Sequence, residues 1–144
     1  IILEAEGDEA YQASTTSKQN VVEPTVSDAI TLAARQVAET VNANCIVTYT
    51  TSGSTTLRAA RERPTVPILC VTSSLSTARR MAIAWGIHSV HIDQEERFST
   101  VVKRAVDIAE TQGFASSGDH IVITAGVPMG KSGSTNVLRI ERIP

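Results

Sequence analysis

Aromatic residues make up only 3% of this 144-residue chain, and it has no excess of basic residues, with 13 Lys and Arg against 15 Asp and Glu. The resulting net charge is −2 and the isoelectric point about 5.9. A general nucleic-acid binder needs cations for the phosphates and aromatic faces for the bases. That class is excluded, and any anionic ligand must be held by local groups. Long apolar runs are missing too: none approaches the roughly 20 residues of a membrane span, and nothing at Ile1 resembles a secretory signal. A soluble, cytoplasmic protein without membrane partners is expected. The only cysteines, Cys45 and Cys70, each lie inside an apolar run and read as buried thiols in a reducing compartment rather than as a disulfide. What remains is ordinary for one globular domain: 42% hydrophobic and 19% charged residues, on a chain long enough to bury roughly two-thirds of its unfolded surface. An Ile rather than a Met at position 1 suggests a processed chain or a piece of a longer one.

The opening IILEAEGDEAYQ reads as the end of a helix, and the polar STTSKQN as a connector. Beyond it, Val26, Ile30, Ala33, Val37 and Val41 recur at helical spacing, and Thr25 with Asp28 matches a capping box. Cys45 to Tyr49 is a short β-rich run, followed by the loop TTSGST and the helical TLRAARER, which Pro64 closes. Val66 to Val71 reads as a buried strand. Leu75, Ala78, Ala82 and Trp85 then line a helix that Gly86 ends. Ile87 to Ile92 fits a third strand, and Asp93 with Glu96 gives a second capping signature. The helix after it has Phe98, Val101, Val102, Ala105 and Ala109 on its inner face and stops at Gly113. Ile121 to Ala125 is a fourth strand and Asn136 to Ile143 a fifth, exposed on one face.

Apolar strands alternating with helices predict a three-layer α/β/α fold around a mostly parallel five-stranded sheet. The last connection departs from this pattern. Only ten residues, GVPMGKSGST, join Ala125 to Asn136, too few for a parallel crossover. The final strand is therefore predicted antiparallel, at an edge.

Two loops carry possible chemistry. GVPMGKSGST resembles a phosphate-binding P-loop, but only Val127, Pro128 and Met129 separate its first glycine from Gly130-Lys131, one residue too few, and a strand rather than a helix follows. The loop Thr50, Thr51, Ser52, Gly53, Ser54, Thr55 is a better anion cradle. It lies at the carboxyl end of a buried strand and the amino end of a helix, where free N–H groups and five hydroxyls can meet phosphate oxygens. The same Ser/Thr run also serves simply to cap a helix. His88 and His91, three apart on a strand, face opposite sides, and His120 lies at a strand start, so no metal site is expected. Arg58, Arg61, Arg63, Arg79 and Arg80 read as a solvated helix face, Trp85 as core, and Glu95, Glu96, Asp107 and Glu110 as dispersed charges on a helix. No nucleophile stands at readable spacing from a base.

The run AARQVAETVNANCIVTYTTSGSTTLRAARERPTVPILCVTSS, then ARRMAIAWGIHSV and finally GDHIVITAGVPMGKSGSTNVLRI, resembles the C-terminal domain of pyruvate kinases, from about Glu23 to Ile143. Its most diagnostic pieces are the Ser/Thr loop, the Ala-Arg-x-Arg-Pro element at Ala60 to Pro64 and the turn Gly133 to Asn136. The resemblance implies residues 1–22 as the helical segment and connector leaving a catalytic barrel that is not in this sequence, and residues 23–144 as a regulatory domain. Pyruvate kinases transfer phosphate from phosphoenolpyruvate to ADP, giving pyruvate and ATP in glycolysis. Magnesium and potassium are expected for that barrel, and no cofactor or catalytic residue for this domain. In effector-activated relatives a sugar phosphate sits between two loops. These correspond to Thr50 to Thr55 and to a lid containing Gly126, Gly130, Lys131, Ser132, Gly133, Ser134 and Thr135. Many relatives activated by fructose 1,6-bisphosphate carry a basic residue in the first loop, where this chain has Thr51 and Ser54. The difference favours a sugar monophosphate or AMP, with Lys131 as a supplementary cation. Self-association is expected, as a homotetramer in the whole enzyme. The alternatives are an assembly domain without effector and an autonomous small phosphate-binding enzyme.

Overall fold

The computed structural model describes residues 25–144, so the expected N-terminal helix and connector lie outside the described residues. In chain order the elements are α1 (Val26–Thr40), β1 (Cys45–Tyr49), α2 (Ser54–Arg61), β2 (Ile68–Thr72), α3 (Leu75–Met81), β3 (Ile87–His91), α4 (Phe98–Thr111), β4 (His120–Gly126) and β5 (Thr135–Arg142). They build one five-stranded sheet in the order β3-β2-β1-β4-β5. All neighbours are parallel except β4 and β5. The predicted architecture and the antiparallel edge strand are both observed.

Alternation along the strands divides the core between two faces. Cys45, Val47, Tyr49, Leu69, Val71, Ile121 and Ile123 pack with Val101, Val102, Ala105 and Ala109 of α4. On the opposite face Ile46 and Val122 meet Ala34 and Ala38 of α1. Thr56 of α2 bonds Thr48 across 2.7 Å on that same face. The Ser89 hydroxyl of β3 donates to the Ala78 carbonyl of α3 at 2.6 Å, which places α3 there too. Helices thus cover both faces, α4 on one and α1 to α3 on the other. Cys45 and Cys70 are buried free thiols on opposite faces of the sheet. Burial pushes the Cys45 thiol up to about 12 and raises that of Cys70, so both stay protonated.

Three local expectations are corrected. The buried stripe of α1 is Ser27, Thr31, Ala34 and Ala38, one position beyond the expected apolar set; of that set Val37 and Val41 pack half-buried against the core, while Val26 is 65% exposed. Small residues let the helix approach the sheet closely, while the threonine satisfies itself by donating to the Ser27 carbonyl at 3.0 Å. α3 ends at Met81, with Thr77, Ala78 and Met81 buried. Trp85 therefore falls in the following turn, half-buried, with the Arg63 guanidinium 4.2 Å above its ring. Asp93 and Glu96 do not cap α4. Its N-cap is Arg97, without a side-chain cap, and Glu95 and Glu96 precede the helix. There the Glu95 carboxylate pairs with Arg104 at 3.3 Å.

Candidate effector-binding site

In the sheet order, β1 continues to β2 on one side, while the chain returns from β3 through α4 to β4 on the other. The strand order therefore reverses between β1 and β4, and the helix that follows β1, α2, lies on the opposite face from the helix that leads into β4, α4. A crevice opens at the carboxyl ends of strands at such a point. The two loops singled out in the sequence leave the sheet there, residues 50–55 from β1 and the segment from Gly126 to Thr135 from β4.

The first loop shapes itself around Gly53, the N-cap of α2, whose φ of 88° suits glycine. The Thr50 hydroxyl accepts from the Gly53 N–H at 2.9 Å, and the Ser52 hydroxyl from the Ser54 N–H at 3.4 Å. The first N–H groups of a helix have no acceptor inside it, so those of Thr55 and Thr56 are available at the amino end of α2, where such groups can meet an anion. Beneath the loop lies α3. The Thr77 hydroxyl donates to the Thr51 carbonyl at 2.9 Å, and Met81 packs under Gly53. A Cβ on Gly53 would stand 3.0 Å from both Sδ and Cε of Met81. Together with the left-handed φ, this makes Gly53→Ala cost about 1–2 kcal/mol, a Tm fall of roughly 5–10 °C in thermal unfolding followed by circular dichroism.

The second loop is braced at its base. Asn136 accepts from the Val127 N–H at 2.9 Å and donates to the Val127 carbonyl at 2.7 Å. At Gly126, beside the irregularity that ends the β4–β5 ladder, a Cβ would lie 2.7 Å from the Ser134 hydroxyl, so the two arms of the loop touch. The tip holds Gly130 and Gly133 at positive φ, and Lys131, Ser132 and Gly133 are exposed. The two loops are joined by a hydrogen bond between the buried Thr55 and Thr135 hydroxyls. The cleft between them is lined by Tyr49, Thr50, Thr51, Thr55, Met129 and the segment from Gly130 to Thr135, with Gly126 at its base. Its interior amounts to about 20 Å³, room for a water molecule rather than for a sugar.

Of the residues expected from sequence, Thr50, Thr51 and Thr55 meet the lid residues on this cleft. Ser52, Gly53 and Ser54 form the outer turn beside it. Sequence reasoning missed Tyr49 and Met129, which give the cleft an apolar wall. It also missed the β3–α4 connection, whose Glu95 N–H donates to the Tyr49 hydroxyl at 3.3 Å. The position of Tyr49 immediately before Thr50 was the available signal. The arginines were not uniformly a solvated face. Arg58 pairs with the fully buried Asp28 at 3.2 Å, and Arg61 bonds the same carboxylate oxygen. Arg80 donates to the Ser52 carbonyl. The histidines lie apart, His88 against Gln112 at 3.2 Å and His91 against the Ser73 carbonyl at 3.2 Å. Among the described residues no group of His, Cys, Asp or Glu is placed to hold a metal ion, and no helix is long and apolar enough to cross a membrane.

Comparison with known proteins agrees with this geometry. Residues 28–141 match the family profile of the pyruvate kinase alpha/beta domain. A pyruvate kinase of Methylorubrum extorquens is 39% identical over 97% of the chain, and one of Clostridium acetobutylicum is 33% identical over 98%. The chain spans 29% and 30% of those proteins, about three-tenths of their length. A pyruvate kinase crystal structure from Cryptosporidium parvum superposes with a TM-score of 0.76 at 28% identity, covering 85% of this chain and 23% of that one. The chain belongs to the pyruvate kinase family and is its C-terminal α/β domain.

Proposed function

We propose that this domain is the effector-binding and self-association part of a pyruvate kinase, the enzyme that converts phosphoenolpyruvate and ADP to pyruvate and ATP in glycolysis. The observation that carries the reading is the Thr55–Thr135 bond, which brings a helix-end anion cradle and a glycine-containing loop together at the switch point of the sheet. The ligand is a phosphorylated small molecule whose phosphate sits on the α2 N-terminus. With about 20 Å³ between the loops, the lid must move outward to admit the rest of the ligand and reorder over it. That makes the two lid positions differ in affinity for the effector, which is the condition for shifting a quaternary equilibrium. Catalysis, with its magnesium and potassium, belongs to the barrel outside this sequence. The open edge of β5, with Ile140 44% exposed, suits self-association toward a tetramer. A cytoplasmic location accords with the two reduced thiols.

Calorimetric titration of the chain with glucose 6-phosphate, ribose 5-phosphate, AMP and fructose 1,6-bisphosphate tests this reading. Saturable binding of at least one monophosphate is expected, with the bisphosphate no tighter, and no turnover of phosphoenolpyruvate with ADP. Absence of binding by all four leaves the domain an assembly module. Measurable turnover makes it an autonomous enzyme. Either result overturns the proposal.

A further inference from the structure

The candidate anion loop carries no cation of its own, a deficit for holding a phosphate dianion. The fold supplies one from elsewhere. Arg80 is exposed on the last turn of α3, and its guanidinium donates to the carbonyl oxygen of Ser52, in the middle of the loop. Among the described residues that is its one hydrogen bond, and no carboxylate pairs with it. A guanidinium has five N–H donors in a rigid fork, so the contact with the Ser52 carbonyl leaves most of them unused at the edge of the loop. The neighbouring side chains of α3 are already committed to positioning the loop: Thr77 holds the Thr51 carbonyl and Met81 lies under Gly53. The helix that fixes the backbone of the cradle thus also delivers a charge to its rim. Lys131, the cation expected from sequence, instead sits exposed at the tip of the lid and moves with it.

We infer that Arg80 is the charge-bearing specificity residue of the effector site: its guanidinium bridges the Ser52 carbonyl and the ligand's phosphate, selecting a dianionic phosphate monoester. The inference rests on the effector-site reading above. It goes beyond that reading by assigning the selection of ligand charge to a residue outside both loops. The alternative role for Arg80 is to prop the loop through Ser52. That role would be insensitive to the charge of the ligand, so the two can be separated.

The test compares glucose 6-phosphate, a dianion at pH 7.5, with glucose 6-sulfate, a monoanion of similar shape. Both are titrated into the wild-type chain, Arg80→Gln and Arg80→Lys. Gln retains a donor for the Ser52 carbonyl but no charge, and Lys retains the charge. Arg80→Gln is expected to weaken the phosphate ester about 10-fold and the sulfate ester about 3-fold, with Arg80→Lys recovering most of the loss. Unchanged affinities in Arg80→Gln, or equal losses for the two esters, would overturn the assignment while leaving the effector site standing. A wild-type chain that binds neither ester removes the site itself, and the role of Arg80 with it.

Discussion

Ser52→Asp is expected to abolish effector binding, by at least about 100-fold in calorimetric affinity for glucose 6-phosphate, while leaving the fold intact or slightly more stable. The two signs follow from one cause. Ser52 precedes the N-cap of α2 and is half-buried, and among the described residues its hydroxyl engages only Ser54. A carboxylate there meets the positive end of the helix dipole and the Ser54 N–H, an arrangement that stabilises by roughly 0.3–1 kcal/mol. It also occupies the position that the reading gives to phosphate. Two like charges about 4 Å apart near a protein surface repel by about 4 kcal/mol at an effective dielectric of 20, more than enough for a 100-fold loss. Retained binding together with a raised Tm would place the ligand elsewhere than on the first loop. A neutral change such as Ser52→Ala removes only one hydrogen bond and is expected to be several-fold weaker in effect.

The divided legibility of the sequence has physical reasons. The sheet was readable because β1, β2 and β4 are buried on both faces, so CIVTY, ILCVT and the apolar part of β4 are nearly continuous apolar runs. The reversal at β5 was readable from loop length alone. The candidate anion loop stands out in the sequence as a Ser/Thr/Gly run between a strand and a helix. Its partner loop was visible through the false P-loop it resembles. Helix faces were less legible. α1 buries hydroxyls and alanines against the sheet, and apolar periodicity cannot register a stripe made of Ser27, Thr31, Ala34 and Ala38. The arginines misled for a different reason. A charge on a helix looks the same in sequence whether it meets water, as Arg79 does, or a buried partner 33 positions away, as Arg61 does with Asp28. Long-range pairing has no local signature. The Thr55–Thr135 contact, across 80 positions, is equally silent until the fold brings β1 and β4 side by side.

Asp28 is where the second large effect is expected: Asp28→Asn should destabilise the domain by about 2–3 kcal/mol and lower Tm by roughly 8–15 °C. The carboxylate is fully buried, takes a hydrogen bond from the Thr25 hydroxyl at 2.5 Å and binds Arg58 and Arg61 of α2. Asn preserves the shape but not the charge, so both guanidinium contacts lose their ionic character. The cost stays below that of breaking a wholly interior pair, because Arg58 and Arg61 are 28% and 38% exposed and regain water. The pH dependence identifies the cause. The Thr25 hydroxyl, foremost, together with the two arginines outweighs burial and holds the Asp28 carboxyl below its ordinary value. A depressed carboxylate binds its proton more weakly folded than unfolded. Its contribution is therefore complete above the ordinary carboxylate value of about 3.9 and is lost as pH falls through the lower folded one. In urea unfolding between pH 7 and pH 2, the gap between wild type and Asp28→Asn should be constant down to about pH 4.5 and then narrow. A gap that persists unchanged to pH 2 would mean that packing, not charge, makes the contact. The consequence reaches the site, because the same turn of α1 touches both sides of the cleft. Asp28 grips α2 through its last turn, and the neighbouring Ser27 hydroxyl lies 3.3 Å from the Gly133 carbonyl and 3.5 Å from that of Thr135. Loosening this turn should therefore weaken effector affinity as well as stability, although no atom of Asp28 lines the cleft.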